Sequence, residues 1–224
     1  LAQLPCEPEC ILLLQNGLGG EEWLASLAPR SVVLGGICEI ACSRVGPAHM
    51  KHFAYGLVRL APLQGSALAQ AACAAVAEDF SAVGVPVHVG SSLRQIRWHK
   101  LVWNMAFSGL CTLTGLRTRE LLDDSVLRRR LLAVMDEVLR AAAADGVLLE
   151  PAVIEDFVAK TESMPSYTPS MQLDAEAGRP LELEAIYQIP LDRAKHNGLE
   201  MPETTRLLRD LEALVPTPRT SRAI

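Results

Sequence analysis

A chain of 224 residues, 50% hydrophobic and 21% charged, has the balance of a globular protein long enough to bury a substantial core. Aromatics make up only 4%, so Leu, Ala and Val must fill most of the interior. The formal net charge of -5, with basic residues spread along the chain, argues against a nucleic-acid surface; Arg128–Arg129–Arg130 falls in a helical pattern and reads as a solvated face. No apolar run reaches the ~18 residues that span a bilayer, and the longest candidate, Leu131 to Leu149, is interrupted by Asp136, Glu137, Arg140 and Asp145. The first nine residues carry two prolines and two acids and no basic start, unlike a signal peptide. Cys6, Cys10, Cys38, Cys42, Cys73 and Cys111 lack the His pair or CxxC spacing of a metal site, so no metal is expected. They read as reduced thiols of a cytoplasmic protein. The chain begins without an initiator Met, a few residues ahead of a strand, and a preceding segment is expected.

Ile11–Leu14 is a short apolar run closed by Asn16-Gly17, the pattern of a buried parallel strand ending in a tight turn. Glu21 to Leu27 is helical in character, and Ser31 to Ile37 is a second strand. A hairpin follows, from Ile40–Val45 through Gly46-Pro47 to a return strand with Phe53, Tyr55, Leu57 and Val58. Ala67 to Phe80 is an Ala-rich helix with Leu68, Ala72, Ala75, Val76 and Phe80 expected inward. Val85–Val89 is the last strand. From there helices take over: one capped by Ser91 or Ser92 and running toward Leu113, then one from Arg119 to Ala144. The core face of the latter is expected to be Leu121, Leu122, Val126, Leu132, Met135 and Leu139, with Gly146 as its left-handed end. Pro151 opens a third helix, residues 163–170 form a loop, and a short helix starts at Ser170. Two helices at about 181–197 and 202–214 complete the chain, the first kinked by Pro190. The expected fold class is α/β plus all-α: an incomplete α/β domain over residues 1–90, a helical domain over 91–215, and a disordered tail at 216–224. A ligand cleft belongs at the junction.

Three segments could carry chemistry. In Trp98-His-Lys-Leu-Val-Trp-Asn-Met-Ala-Phe-Ser108, Lys100, Asn104 and Ser108 share one helical face amid apolar residues. A lysine there is either a buried acid–base group with a lowered pKa or a residue that snorkels to solvent. Leu14-Gln15-Asn16-Gly17-Leu18-Gly19 puts a glycine loop at a strand's C-terminal end, which serves either as a cofactor loop or as an ordinary turn. Ser170, with Met171, Gln172 and Asp174, and Gly178-Arg179-Pro180-Leu181-Glu182 supply a serine and a carboxylate that could cap helices or face a cleft.

Taken in order and at these separations, the strand-QNGLG loop, the WxKLxxN helix, the SMxxD segment and the GRxxExE turn resemble the ketopantoate reductase family. Arg44-Val45-Gly46-Pro47, His52 and the late Gly198…Met201-Pro202-Glu203 also fit, and the resemblance runs from about residue 10 to residue 214. It implies a Rossmann-type dinucleotide-binding domain joined to a helical domain of the 6-phosphogluconate dehydrogenase C-terminal type. It also implies NADPH-dependent reduction of 2-dehydropantoate to pantoate, a step toward pantothenate and coenzyme A. By resemblance, Lys100 is the general acid, and Asn104, Ser108 and Ser170 meet the substrate. Asn16 lies between nicotinamide and substrate, Gly17 belongs to the cofactor loop, and Glu182 stands near the substrate and the cofactor ribose. A small 2-oxo acid is the expected partner, with room for a homodimer.

The sequence departs from the family pattern in several places. Ser108 replaces a second asparagine, Thr118 and Tyr167 stand where some members have asparagine, and Tyr187-Gln188 replaces Asn-Gly. These changes bear on which 2-oxo acid is used. The family's first strand and its GxGxxG turn have no counterpart in the sequence, so these residues alone are expected to bind NADPH poorly and to leave a sheet edge exposed. The other readings are a non-catalytic remnant serving as an interaction or dimerisation module, and a reductase of a different oxo acid or 3-hydroxyacid.

Overall fold

The computed structural model describes residues 6–214, so the expected tail at 216–224 lies outside the described residues. Among the described residues every strand falls before residue 90: β1 (Cys10–Leu13), β2 (Val32–Gly46), β3 (His49–Pro62) and β4 (Val87–Val89) form one sheet in the order β1-β2-β3-β4. β1 runs parallel to β2 with Cys10 opposite Val32, β2 and β3 form an antiparallel hairpin, and β4 runs parallel to β3. Helices α1 (Gly20–Leu27) and α2 (Ala67–Ala82) belong to this part. Among the described residues from Leu93 onward the regular structure is helical: α3 (Leu93–Trp103), α4 (Gly109–Thr114), α5 (Thr118–Asp123), α6 (Ser125–Ala144), α7 (Ala152–Ser163), α8 (Ser170–Glu176), α9 (Ile189–His196) and α10 (Pro202–Glu212). The α/β-plus-all-α class is therefore observed.

Apolar residues cover both faces of the sheet's inner half. Leu34, Val58 and Leu60 pack with Cys73 of α2, while Ile37 and Ala61 pack with Leu93 and Ile96 of α3. A larger core, centred on Trp98, Leu101, Met105, Leu110, Met135, Tyr187 and Leu207, holds the helical part together. Each such side chain contributes on the order of 1.5–3 kcal/mol by leaving water. Among the described residues β1 pairs only with β2, and all four of its residues are part-buried, consistent with an exposed edge.

Several sequence expectations need correction. Ser31–Ile37 and Ile40–Val45 are not separate strands; they are one 15-residue strand, β2. Register shifts between Glu39 and Ile40, Ala41 and Cys42, and Arg44 and Gly46 bend it, as bulges do when a long strand must leave its sheet plane. On α2 the inward residues are Ala69 and Cys73, with Val76, Ala77 and Phe80 beside them; Leu68 is 71% exposed and Ala75 is also outside. An Ala-rich helix has too little apolar contrast for its phase to be read.

The helix expected over 119–144 is broken at Asp124, whose extended backbone and carboxylate cap α6 by accepting from the Val126 and Leu127 N–H groups. The break shifts the helical phase, so Leu131, Val134, Met135 and Val138 are buried while Val126 and Leu132 are exposed. The helices expected over 92–113 and 181–197 each contain a π-helical stretch, at Asn104–Ser108 and Glu184–Gln188. The second immediately precedes α9, whose Pro190 cannot donate to the preceding turn. The local distortion takes that form. Ser92 is the N-cap of α3, its hydroxyl accepting from Gln95 N–H at 3.3 Å. No described helix is long and apolar enough to cross a membrane.

Candidate active site

The loop after β1 is fixed from two sides. Gly17 adopts φ +90°, and a Cβ there would lie 2.5 Å from the backbone of Ala185. Only a glycine lets the loop come that close. Leu18 N–H donates to the Ala185 carbonyl at 2.9 Å, pinning the loop against the second π-helical stretch. The amide of Asn16 then donates to the Glu182 carboxylate at 3.1 Å. From the other side the buried guanidinium of Arg97, in α3, donates to Glu21 at 2.9 Å through Nε, to the Leu13 carbonyl at 3.4 Å, and to the Gln15 carbonyl. Glu21, in the first turn of α1, is 2% exposed, so this ion pair is fully internal.

Lys100 follows Arg97 by one turn. Its ammonium donates to the Cys38 carbonyl of β2 at 2.7 Å. Burial pushes its pKa below the ordinary lysine range, because desolvation disfavours the charged form. Asn104 and Ser108 open and close the π-helical stretch and are 5% and 4% exposed. Single π turns widen a helix locally and recur at functional positions. The stretch is braced by the fully buried Tyr187, whose hydroxyl donates to the Met105 carbonyl at 2.8 Å.

Ser170 is the first residue of α8 and is exposed. The loop before it is held by Thr118, which accepts from Tyr167 N–H at 3.0 Å and whose own N–H donates to the Tyr167 carbonyl at 3.1 Å. Tyr167 packs edge-on against Phe53, ring centres 6.1 Å apart.

These elements surround a cavity of about 520 Å³. Asn16, Lys100, Asn104, Ser108 and Ser170 all line it, although they lie as much as 154 residues apart in sequence. Gly17 and Glu182 are not among its lining residues; Gly17 packs behind the loop, and Glu182 joins through Asn16. Of the departures from the family pattern, Tyr167 and Ser108 face the cavity. Thr118 and Tyr187 do not: they are fully buried structural groups, so they bear on packing rather than on substrate identity. Sequence reading missed the Arg97–Glu21 pair, the Cys38 carbonyl, an ion pair between Arg59 and Glu39 at 2.5 Å, and an aromatic wall of Tyr55, His99, Trp103 and Phe157. Only Arg97 carried a signal, as a second cation three residues before Lys100 on a largely apolar helix. The arrangement offers a lysine and several amide or hydroxyl groups around one cavity, suited to protonating and orienting a small polar substrate.

Two sequence models of one family match this chain: "Ketopantoate reductase PanE/ApbA" over residues 2–65 and "Ketopantoate reductase PanE/ApbA C terminal" over residues 92–215. A 2-dehydropantoate 2-reductase of Nostoc sp. is 32% identical over 215 residues, covering 95% of this chain and 67% of the relative. A crystal structure of 2-dehydropantoate 2-reductase from Geobacter metallireducens superposes with a TM-score of 0.84 at 33% identity, over 90% of this chain and 67% of that one. The corresponding enzyme of Methylococcus capsulatus gives 0.82 at 28% identity, over 100% and 79%. This chain thus spans about two thirds of the length of the Nostoc and Geobacter proteins. With a Rossmann-like sheet, a helical C-terminal part and both family regions matched in order, the chain belongs to the ketopantoate reductase family, oxidoreductases that act on a CH–OH group.

Proposed function

We propose that this protein reduces a 2-oxo acid with NADPH, with 2-dehydropantoate as substrate and pantoate as product. The cavity lies between a part spanning residues 1–90 and a part spanning 91–215. The observation that carries this reading is the convergence of Lys100, Asn104, Asn16 and Ser170 on that one cavity. When bound, the reduced nicotinamide supplies the hydride that adds to C2. The loop at Asn16-Gly17, at the C-terminal end of parallel strand β1, fits that end of the dinucleotide, since such edges are where doubly wound sheets hold cofactors. The 224 residues contain no G-x-G-x-x-G turn, the usual grip on a pyrophosphate.

Lys100 donates the proton that the C2 oxygen acquires as hydride arrives, and its charge stabilises that oxygen. Asn104, Ser108 and Ser170 orient the carboxylate and the hydroxyl of the substrate. Asn16 would meet the nicotinamide end of the cofactor and the substrate, and Glu182 fixes the Asn16 amide by accepting from it. The test is NADPH oxidation with 2-dehydropantoate, using a protein of the relatives' length with and without Lys100→Ala. Turnover that falls about 10²–10⁴-fold in the variant is expected. Absence of turnover with every 2-oxo acid tried would overturn the reading.

A further inference from the structure

Lys100 stands on α3 and Asn16 on the loop ahead of α1, and these elements meet across open space. A second cavity, of about 580 Å³, has Leu18, Glu21 and Glu22 on one side and Arg94, Arg97 and Arg193 on the other. These arginines each already meet a carboxylate, so the cavity is not an anion site. Across such a gap the polar ties that bridge it decide where α1 sits against α3. The inner tie is the buried Arg97–Glu21 pair.

A second tie runs through Asp145, the residue that ends α6. Its side chain is 8% exposed and gathers three donors. Trp98 Nε1 donates at 2.8 Å, while Arg94 and Arg193 reach the carboxylate at 2.8 and 3.5 Å. A carboxylate at the C-terminal end of a 20-residue helix opposes the helix dipole, so α6 by itself is not stabilised by it. Its partners give it another use. Trp98 precedes Lys100 by two residues on α3, and Arg193 belongs to α9, which follows the π-helical stretch at Glu184–Gln188. The other arm of Arg193 donates to Glu22 of α1 at 2.8 Å. Asp145, Arg193 and Glu22 thus link α3 to α1 in one chain of charged hydrogen bonds.

We propose that Asp145 and Arg193 are positioning residues for the reduction: with Glu22 they set the separation between Lys100 and the Asn16 loop. The inference rests on the 2-oxo acid reductase reading, in which Lys100 and the cofactor end at Asn16 act on one carbonyl. An error of about 1 Å in such a separation costs on the order of 10²-fold in rate. Asp145, Arg193 and Glu22 are not among the residues lining the cavity that holds Lys100, so they act through the elements they join.

The test combines steady-state kinetics, in a protein of the relatives' length, with calorimetric binding of the oxo acid to each variant. Arg193→Met and Glu22→Ala are expected to lower kcat about tenfold or more while KM and the calorimetric affinity stay within about threefold. Their double variant should be little worse than Arg193→Met, since both break the same link. Asp145→Asn, which keeps an acceptor for Trp98 but loses the charge, should fall between Arg193→Met and the unaltered protein. Arg94→Met removes a cation from the same carboxylate without breaking the chain, and its kcat should stay within about twofold. Glu22 is exposed, so its variant decides the matter if Arg193→Met does not fold. If the folded variants at Arg193 and Glu22 keep kcat within about threefold, or if Arg94→Met falls as far as Arg193→Met, the positioning role is wrong. The network then only stabilises the fold, and the reductase reading stands on turnover by the unaltered protein. If that protein turns over no 2-oxo acid, the reading falls and this inference with it.

Discussion

The side-chain amide of Asn16 and the carboxylate of Glu182, 166 residues apart in sequence, meet at 3.1 Å and join the loop after β1 to the approach to the last helices. Each therefore holds the other in position, and their effects on catalysis should not add. Asn16→Ala and Glu182→Ala should each lower kcat/KM, and the double variant should be little worse than the poorer single one. A coupling of about 0.5–3 kcal/mol in a double-mutant cycle is expected, and additive losses would argue against a shared role.

Lys100 makes a pH prediction with a definite sign. Its pKa in the fold lies below the ordinary value of 10.5 because burial penalises the ammonium. Only the protonated amine can donate, so kcat should fall with rising pH through that lowered value, and Lys100→Ala should lose this alkaline limb. Between the lowered value and the ordinary one the unfolded chain binds more protons than the folded one, so stability should rise with pH across that window. Lys100→Met, with no ammonium to bury, should show no such rise in urea unfolding followed at several pH values.

Gly17 tests the loop geometry. Alanine there combines a left-handed backbone, φ +90°, with a Cβ 2.5 Å from the Ala185 backbone. The backbone strain alone costs about 1–2 kcal/mol, and relieving the overlap means moving the loop off Ala185. Gly17→Ala should lower unfolding free energy by at least that amount and also weaken substrate binding, because Asn16 moves with the loop.

Arg97 and Glu21 form an ion pair with side chains 4% and 3% exposed. Removing one partner leaves a buried, uncompensated charge, so Arg97→Met should cost about 3–5 kcal/mol. Arg97→Met combined with Glu21→Met should recover part of that loss. Chemical denaturation of the three variants measures both effects.

Gly109 tests the brace behind the π-helical stretch. A Cβ at this position would run into the Tyr187 hydroxyl, which donates to the Met105 carbonyl. Gly109→Ala should therefore destabilise the fold by about 1–3 kcal/mol, the cost of a lost buried hydrogen bond or a strained core. Tyr187→Phe should show a similar loss in thermal melting, without the overlap.

The order of elements was legible in the sequence because hydrophobic period and turn residues are local. The run before Asn16-Gly17, the cap at Ser92 and the turn at Gly146 needed no distant partner to be read. The helical stripe of Lys100 and Asn104 is likewise a matter of four-residue spacing. Where local contrast was weak, the reading failed. The alanines of α2 hid which face was inward, and Asp124 looked like a surface acid within one helix until its backbone turned it into a cap.

The sequence by itself determined the two-part architecture, the candidate lysine and asparagines and, through four spaced motifs, the family. Only the tertiary structure decided that Asn16, Lys100, Asn104, Ser108 and Ser170 share one cavity, that Arg97, paired with Glu21, braces the loop carrying Asn16, and that Thr118 and Tyr187 are packing residues outside it. The reason is physical. Spacing along the chain sets which side chains share a helix face, but burial and long-range pairing depend on which other element covers that face. For the aromatic wall, that partner arrives from β3 and α7, 44 and 58 residues from the helix it completes.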